Sequence, residues 1–584
     1  MDSLDIIVLI VYFVFVIFSA LLFKQFSKSS SGYINGGGSM QWWMAGATAF
    51  MTQFSAWTFT GAAAKAFDGG LTVLFLFWSN AIGFFIAALY FAGKYRRLRV
   101  ETAIEVIRLR FGRTSESVFS WFSFVLGIVS VAIWLNGLAL FVAAVFHIDV
   151  FFTILVVGIV VSFIAVSGGA WAVSATNVIQ LILLMSITVI IGCYALYAIG
   201  GPVQLIQKYP SNFIFGSDLT IWNIGLIWVV AIVAKQSIGT NSALSSYRFL
   251  VTLNERDAVK AAWLACGLFV IGPVMWFIPP WVTADMGVNL FKIYSSLGGD
   301  ANNAAYLYFI EYFMPAGVLG LVLAAMTAAT ISPMSTAINR TAGIFVRNVY
   351  QSFFRPDATE LQQFRMSKIA SLVSAVLSVS AALALSTIHT YSFFDVMMLF
   401  GALLQMPLAI PSVLALIVVK TPDWAGWATV VVGLMVSIYM NFFFDINWLL
   451  PLFDANTFTA REAVDLKVSV TLIMHFIITG GFFCLTQFIP DPSTGTRGEE
   501  KAKFIERLKN PVEGVGSVIV DSRQGAYIGI MACVLGVLIA LLSFTASKVA
   551  DSSVFILIGM GVFLAGLALS GLTRRKCIEY FVNR

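Results

Sequence analysis

A group of polar side chains interrupts an otherwise apolar stretch near the start of the chain. The stretch runs from Gln41 to Leu71, and Gln53, Ser55 and Thr58 lie in its middle. Their oxygens can coordinate a cation or hydrogen-bond a polar solute without adding a second charge to an apolar environment. The pattern therefore predicts a binding site, although a helix that packs against its neighbours through small residues would also explain it.

A second candidate is Lys235, which lies inside the apolar stretch 222–250. A cation within a bilayer is costly unless it faces a cavity and a partner. The ammonium group can therefore pair with a carboxylate of a bound solute, or with a carboxylate of the protein in a structural ion pair. Asp395 is the obvious protein partner, and the sequence leaves both interpretations open.

The elements that position these residues must be membrane spans. Of the 584 residues, 59% are hydrophobic and 11% are charged, whereas a soluble domain has about 25% charged residues. Stretches long enough to cross a bilayer occur at about fifteen places, so we predict an all-α integral membrane protein. They cover 4–24, 41–67, 71–94, 116–147, 149–167, 170–199, 222–250, 258–284, 316–346, 366–388, 392–419, 423–444, 466–489, 524–546 and 552–572.

Basic residues are concentrated in alternate loops, and they account for the net charge of +6 without invoking nucleic acid as a partner. Such loops face the cytoplasm, so we expect a multi-pass protein of the cell membrane with its N-terminus outside and its C-terminus in the cytoplasm. The largest extramembrane segment is 490–523, a loop with the amphipathic sequence EEKAKFIERL. We interpret that sequence as a solvated linker helix.

The chain shows no sign of an enzyme. Its five cysteines and three histidines are scattered, without the spacing of a metal site or of a disulfide framework. No histidine, aspartate and cysteine residues cluster in a catalytic arrangement. A transporter and a sensor that binds a solute without moving it both remain possible. The absence of a signalling domain after the last span argues against a fused sensor.

Four segments, in this order, resemble the sodium/solute symporter family. SGYINGGGSMQWWMAGATAF (31–50) is similar to the family's approach to its first core helix, and YRRLRVETAIEVIRLRFG (95–112) to its first cytoplasmic loop. SGGAWAVSATNVIQ (167–180) and GVLGLVLAAMTAATISPMSTAINRTAGIFVRNVY (317–350) resemble two signature runs of the family. The resemblance covers about 30–420 and weakens beyond.

The resemblance implies a single transporter domain over 1–584 with a LeuT-like core of two inverted five-helix repeats and a broken first core helix. The first repeat and its connecting helix would cover 41–250, and the second repeat would cover 258–419. The remaining spans, 423–572, would be accessory helices that include the cytoplasmic loop.

The family pattern also implies a Na⁺ site. Its ligands here would be the backbone carbonyls of Met51, Phe54 and Ala329 and the hydroxyl of Ser332. Pro333 stands where the family usually has a second serine, so one ligand is missing. Because proline cannot hydrogen-bond back four residues, it releases the carbonyl of Ala329. Either Na⁺ binding is retained in this way, or Pro333 only kinks a packed helix.

A second Na⁺ position in some members uses an aspartate where this chain has Asn177, so we expect one Na⁺ per solute. Lys235 aligns with a position at which sugar-carrying relatives have an asparagine that contacts the substrate. Trp57 and Thr58 replace a glutamate and a glutamine of some sugar carriers, which disfavours a simple hexose. The expected substrate contacts are Gln53, Ser55, Trp57, Thr58, Asn80, Trp134 and Lys235.

These observations predict a secondary active transporter that couples Na⁺ to a small polar organic solute, for which a carboxylate-bearing compound is the candidate. Its partners would be the solute, Na⁺ and the lipid bilayer, with no nucleic acid. Pro333 and Asn177 motivate one rival, a proton-coupled or uncoupled carrier on the same fold. That rival lacks an obvious central carboxylate to carry the proton, since only Asp395 comes near.

Overall fold

The structure, a computed structural model, describes residues 3–24, 40–100, 103–167, 170–210, 212–346, 350–351, 354–387, 392–491, 495–511, 523–545 and 549–582. Within these ranges the chain is almost entirely helical, and the only β-type pairing is an isolated bridge between Met40 and Thr252. Twelve helices of the described residues are long and apolar enough to cross a membrane. The predicted all-α membrane fold is confirmed.

The helices that matter for the site are labelled in chain order. They are α1 (Ser3–Lys24), α2 (Trp42–Met51), α3 (Gly61–Gly69), α4 (Thr72–Ile86), α5 (Ala103–Phe146), α6 (Val150–Ser167), α7 (Ala170–Ile199), α8 (Trp222–Asn241), α9 (Glu255–Asp285), α10 (Val318–Phe345), α11 (Glu360–Ser386), α12 (Phe393–Phe400), α13 (Met406–Leu414), α14 (Trp424–Phe442), α15 (Ala460–Met474), α16 (Thr496–Lys509), α17 (Arg523–Leu541) and α18 (Val549–Val582). Three π-helical segments continue α4, α12 and α15: Ala87–Phe91, Gly401–Gln405 and His475–Gly480.

The predicted number of spans is approximate. Twelve of the fifteen predicted stretches correspond to the twelve long apolar helices. Two of the other three stretches correspond to α1 and α6, whose described apolar segments are shorter. The third corresponds to α2 and α3, which are separated by a break.

Small residues let the central helices approach one another closely. Helix α9 packs against α2, α4 and α7, and it buries Ala258, Ala261 and Ala265 completely. Opposite them, a Cβ added to Gly46 of α2 would lie 2.9 Å from the carbonyl oxygen of Ala261. In a bilayer, where lipid tails are as apolar as the helices, such backbone contact is what drives helix association.

The last two helices form a glycine interface. A Cβ on Gly529 of α17 would lie 2.7 Å from the carbonyl oxygen of Gly566 of α18, and one on Gly536 would lie 2.6 Å from that of Gly559. The two contacts are about two helical turns apart. The pair rests on α7. Any side chain at these positions would separate the helices.

The carboxylate of Asp5 in α1 caps the beginning of α10. Its Oδ1 accepts hydrogen bonds from the backbone nitrogens of Gly317 and Gly320 at 2.8 and 2.9 Å, and the residue is buried. The first N–H groups of a helix have no partner within the helix, and its dipole favours a negative charge there. Helix α1 is therefore fastened to the helix that carries the predicted Na⁺ ligands Ala329 and Ser332.

Asp5→Ala should lower the free energy of unfolding by about 1–2 kcal/mol, because loss of a helix cap costs this much and two buried donors lose their acceptor. Asp5→Asn keeps a side-chain oxygen and should lose less. Thermal unfolding of both variants in the same detergent measures the difference. Equal melting temperatures for Asp5→Ala and the wild type would show that the cap contributes nothing.

The interpretation of the 490–523 loop as a solvated linker is wrong for α16, which is docked on the protein. Asp423 accepts hydrogen bonds from Arg497 Nε at 2.6 Å and lies 2.7 Å from Lys501 Nζ. Arg497 also donates to the carbonyl of Leu109 at 3.1 Å, and Phe504 is completely buried. Burial raises the pKa of Asp423, but the hydrogen bonds from Arg497 and Lys501 outweigh this effect and lower it overall. The carboxylate thus stays charged at neutral pH.

Candidate functional site

The predicted break in the first core helix is confirmed. Helix α2 ends at Met51 and α3 begins at Gly61, with extended backbone at Ser55 (φ −158°, ψ 177°) between them. Thr52 Oγ1 donates to the carbonyl of Ala49 at 3.0 Å, and a hydroxyl that bonds its own backbone in this way competes with continuation of the helix. A short 3₁₀ turn follows and leads into α3.

The break lies directly against α10. Thr330 Oγ1 accepts a hydrogen bond from the backbone nitrogen of Ala56 at 2.8 Å and donates to the carbonyl of Met326 at 2.7 Å. The neighbouring Ala329 is completely buried. Pro333 lies inside α10, and because it has no N–H, it cannot donate to the carbonyl of Ala329. The two segments predicted to hold the ion are therefore in contact.

The residues predicted to bind Na⁺ offer oxygen atoms, and the structure describes most of them. Met51 and Phe54 are buried at the break, and the donor set consists of oxygen atoms alone, as hard cations require. The Phe54 ring packs edge to face on Trp276, with 5.0 Å between ring centroids, which excludes water on that side. The side chain of Ser332 lies outside the described part of the structure.

An aromatic stack forms one wall beside the break. The indole of Trp57 lies between the rings of Phe77 and Phe394, with centroid distances of 6.3 and 5.7 Å and interplanar angles of 27° and 21°. The stack fits against α5 because a Cβ on Gly137 would lie only 3.1 Å from the Trp57 backbone nitrogen. Trp57 and Thr58 are both predicted contacts.

Two of the predicted contacts each carry an unpaired polar atom. Trp57 Nε1 and Thr58 Oγ1 are buried and have no hydrogen-bond partner among the described residues. Most buried polar groups in proteins are paired, so these two donors stand out beside the break.

Asn80 and Lys235 lie on adjacent helices. Asn80 Oδ1 accepts a hydrogen bond from Gln236 Nε2 at 3.0 Å, which ties α4 to α8 next to the lysine. Lys235 is 4% exposed and forms no hydrogen bond or ion pair with any described residue. Its Nζ lies against Gly401, where an added Cβ would overlap it. The absence of a side chain at 401 thus leaves room for the ammonium group.

The ion pair with Asp395 is not formed. The carboxylate of Asp395 instead accepts a hydrogen bond from Ser392 Oγ at 2.7 Å, at the beginning of α12. Lys65 lies over this part of α12, with its Nζ 5.2 Å from the centroid of the Phe394 ring. The structural ion pair, which was one of the two interpretations of Lys235, is therefore absent from the described structure. Pairing with a solute stays a prediction.

Other predicted contacts lie elsewhere. Gln53 is exposed at the break, whereas Ser55 is buried at the beginning of the 3₁₀ turn. Trp134 packs on the apolar cluster that α5 forms with α6, α10 and α11. On the same part of α5, Asn136 Nδ2 donates to the carbonyl of Ala382 at 2.7 Å. Contacts therefore connect Trp57 to Asn80 and Lys235 by way of Phe77 and Gln236, whereas Trp134 packs on a different cluster.

Sequence reasoning missed four residues that shape the site. They are Phe77, Gln236, Phe394 and Gly401. Phe77 and Asn80 are three residues apart, which places them on one helix face, so Phe77 could have been found from Asn80. Gly401 lies in an apolar run and carries no pattern that distinguishes it from other glycines that pack helices.

Helix α9 and two connecting segments cover the end of α3. Trp281 Nε1 donates to the carbonyl of Gly70 at 3.0 Å, and Tyr209 OH donates to the carbonyl of Phe67 at 2.7 Å. Asn302 Nδ2 lies 3.1 Å from each carboxylate oxygen of Asp68. These bonds fasten the end of α3 to α9 and to the segments that contain Tyr209 and Asn302.

Residues 33–424 match the model of the sodium:solute symporter family. Among similar proteins, the sodium/glucose cotransporter of Vibrio parahaemolyticus is 26% identical over 61% of this chain and 69% of its own length. The sodium/sialic acid symporter SiaT of Proteus mirabilis is 25% identical over 75% of this chain and 90% of its own length. Sodium/myo-inositol cotransporter 2 of Sus scrofa is 23% identical over 75% of this chain and 70% of its own length.

Among solved structures, the chain is similar to a Na⁺-coupled sialic acid symporter in its substrate-bound, outward-open state. The TM-score is 0.61 at 20% sequence identity, and the match covers 82% of this chain and 98% of that chain. This likeness shows the fold and confirms the predicted LeuT-like architecture with its broken first core helix.

Proposed function

The chain belongs to the sodium:solute symporter family, and from this membership we propose that it moves one Na⁺ together with one small polar solute that bears a carboxylate. The observation that carries the choice of solute is Lys235, a buried cation without a partner among the described residues. An unpaired charge in a membrane span is retained where it serves a function. A solute carboxylate would supply the missing negative charge.

The wall beside the break would bind the remainder of the solute. Phe77, Trp57 and Phe394 together offer an aromatic surface, and Trp57 Nε1 and the hydroxyl of Thr58 are unpaired among the described residues. Asn80 offers an amide whose oxygen already binds Gln236. An aromatic face with a few fixed polar groups is the usual composition of a site for a small hydrophilic ligand. The sialic acid symporters among the relatives carry an acid, which agrees with this choice.

The coupling ion would bind between the break and α10. Its ligands would be the carbonyls of Met51, Phe54 and Ala329 and the hydroxyl of Ser332. The bond from Ala56 to Thr330 supports this placement, because it joins the two segments beside Ala329. A single Na⁺ is proposed because Asn177 supplies no charge for a second. Transport would proceed by rocking one helix bundle against the other around the site.

We also place the N-terminus outside the cell and the C-terminus in the cytoplasm, in accordance with the distribution of basic loops. Helix α16 would then lie on the cytoplasmic face, together with Asp423 and the basic residues that bind it.

Thermal stability of the purified protein tests the function. Ligands that bind the folded state raise stability by mass action, by about 2.7 kcal/mol at one hundred times the dissociation constant. We expect a rise in Na⁺ relative to choline at equal ionic strength, and a further rise with organic acids, sialic acid included, when Na⁺ is present. Equal stability in Na⁺ and choline would overturn the coupling. A response to neutral sugars but not to acids would overturn the choice of solute.

A further inference from the structure

A second proline explains the irregular turn against which Lys235 lies. Pro407 has no N–H, so the carbonyl of Leu403, four residues earlier, loses its helical donor. The chain widens into the π-helical segment Gly401–Gln405 immediately before it. Segments of this kind are short interruptions of α-helices that often occur at functional sites. Gly401, which accommodates the ammonium group, is the first residue of that segment.

A hydroxyl from the accessory helix α14 satisfies the released carbonyl. Ser437 Oγ lies 2.6 Å from the carbonyl oxygen of Leu403 and 3.1 Å from that of Gly433. Helix α14 comes this close because a glycine faces the proline: a Cβ on Gly433 would lie 2.9 Å from Pro407 Cα. The hydroxyl therefore replaces the hydrogen bond that Pro407 cannot make.

A buried histidine supports this hydroxyl from α15. His475 Nε2 lies 3.3 Å from Ser437 Oγ, and its Nδ1 lies 3.2 Å from Thr479 Oγ1. The His475 side chain is completely buried. Because Ser437 uses its proton on Leu403, a consistent network requires that His475 donates from Nε2 and accepts from Thr479 at Nδ1. Each polar atom of the network then has a partner.

The geometry of the π-helical segment determines which residue faces Lys235. The π-helical segment holds one residue more per turn than an α-helix would. If it relaxed to α-helical geometry, the preceding residues would rotate by about 100° around the helix axis. Gly401 would then leave the lysine, and a neighbouring side chain would take the space of the ammonium group.

We propose that Ser437 and His475 are positioning residues for solute binding. They hold the π-helical segment in the form that lets Lys235 meet the solute carboxylate, although neither touches the solute. This inference rests on the proposed role of Lys235. It assigns to α14 and α15, which lie outside the ten-helix core, a part in the affinity for solute rather than for the ion.

The test compares solute and ion binding in matched variants. Ser437→Ala should weaken solute binding about tenfold, as expected for one buried hydrogen bond left unmade, with an unchanged rise in stability from Na⁺ alone. Ser437→Thr keeps the hydroxyl and should resemble the wild type. Thr429→Val is the control, because it removes a buried hydroxyl of α14 that bonds only within its own helix, to the carbonyl of Ala425 at 2.6 Å.

A double-mutant comparison separates this inference from the proposed function. Once Lys235→Met has removed the ammonium group, the residual affinity for solute, titrated at high solute concentration, should not fall further when Ser437→Ala is added, since coupled residues are not additive. If Ser437→Ala loses no more solute binding than Thr429→Val does, the positioning role of Ser437 is overturned and the role of Lys235 is unaffected. Full solute binding by Lys235→Met would overturn both. If Ser437→Ala does not fold, His475→Leu removes the supporting donor and should give a smaller loss of the same kind.

Discussion

Replacing Lys235 with methionine or asparagine is expected to abolish uptake of the coupled solute while the stabilisation by Na⁺ persists. The ammonium group would form a charge-assisted hydrogen bond with the solute carboxylate. Loss of such a bond costs about 1.5–3 kcal/mol, and the carboxylate would then be left unpaired in an apolar site. Uptake of labelled solute into proteoliposomes with a Na⁺ gradient, together with thermal unfolding, measures both effects.

The same substitution should weaken solute binding but raise the stability of the ligand-free protein. Because the buried ammonium group has no partner among the described residues, Lys235→Met removes a desolvation cost. The ligand-free protein should therefore unfold at a higher temperature than the wild type. Lys260→Met is the matched control, since Lys260 is exposed on α9 and its loss should change neither property. If Na⁺ no longer raises the thermal stability of Lys235→Met, the role of Lys235 is structural.

Pro333→Ala is expected to weaken Na⁺ binding about tenfold or more and at the same time to stabilise the ligand-free protein. Alanine restores an N–H that can donate to the carbonyl of Ala329, and this donor would compete with the ion. Helix α10 should also become more stable, because proline inside a helix is unfavourable by about 3 kcal/mol relative to alanine. Na⁺ titrations followed by thermal unfolding at constant ionic strength would show both changes.

Two further variants make the Pro333 result decisive. Pro273→Ala relieves a proline inside α9 and should leave the Na⁺ response unchanged. Pro333→Ser supplies the hydroxyl that the family usually has, but it also restores the competing N–H. If Pro333→Ala binds Na⁺ as tightly as the wild type, the proline only bends α10. If Pro333→Ser binds more tightly, the hydroxyl matters more than the released carbonyl.

The sequence predicted the broken helix because the polar residues between Met51 and Gly61 cannot be buried comfortably in a straight span. It also predicted that Lys235 lies within a membrane span, because a charged residue stands out in an apolar stretch. It did not predict what surrounds the lysine, since Gly401 acquires its role from Pro407 and from the geometry of a π-helical turn. A polar residue in an apolar run is conspicuous, whereas the cavity that accepts it has no sequence pattern.

The orientation of a helix about its own axis was the least predictable property. Trp134 is a predicted substrate contact that packs on the cluster formed with α6, α10 and α11. Helix α5 is apolar on several faces and offers no stripe that identifies the side facing the site. Similarly, the amphipathic pattern of α16 predicts a helix with one apolar face but not what covers it. Asp423, which binds Arg497 and Lys501, is distant in sequence from both.

The glycine contacts between α17 and α18 limit how this part of the molecule can move. Sliding one helix along the other would carry Gly529 and Gly536 away from Gly566 and Gly559 and bring side chains into a gap that has no room for a methyl group. Shear between packed helices requires a surface that can repack, and this one cannot. Helices α17 and α18 should therefore travel as one rigid body, and any bending of this part of the molecule during the transport cycle must take place at their junctions with the rest of the chain.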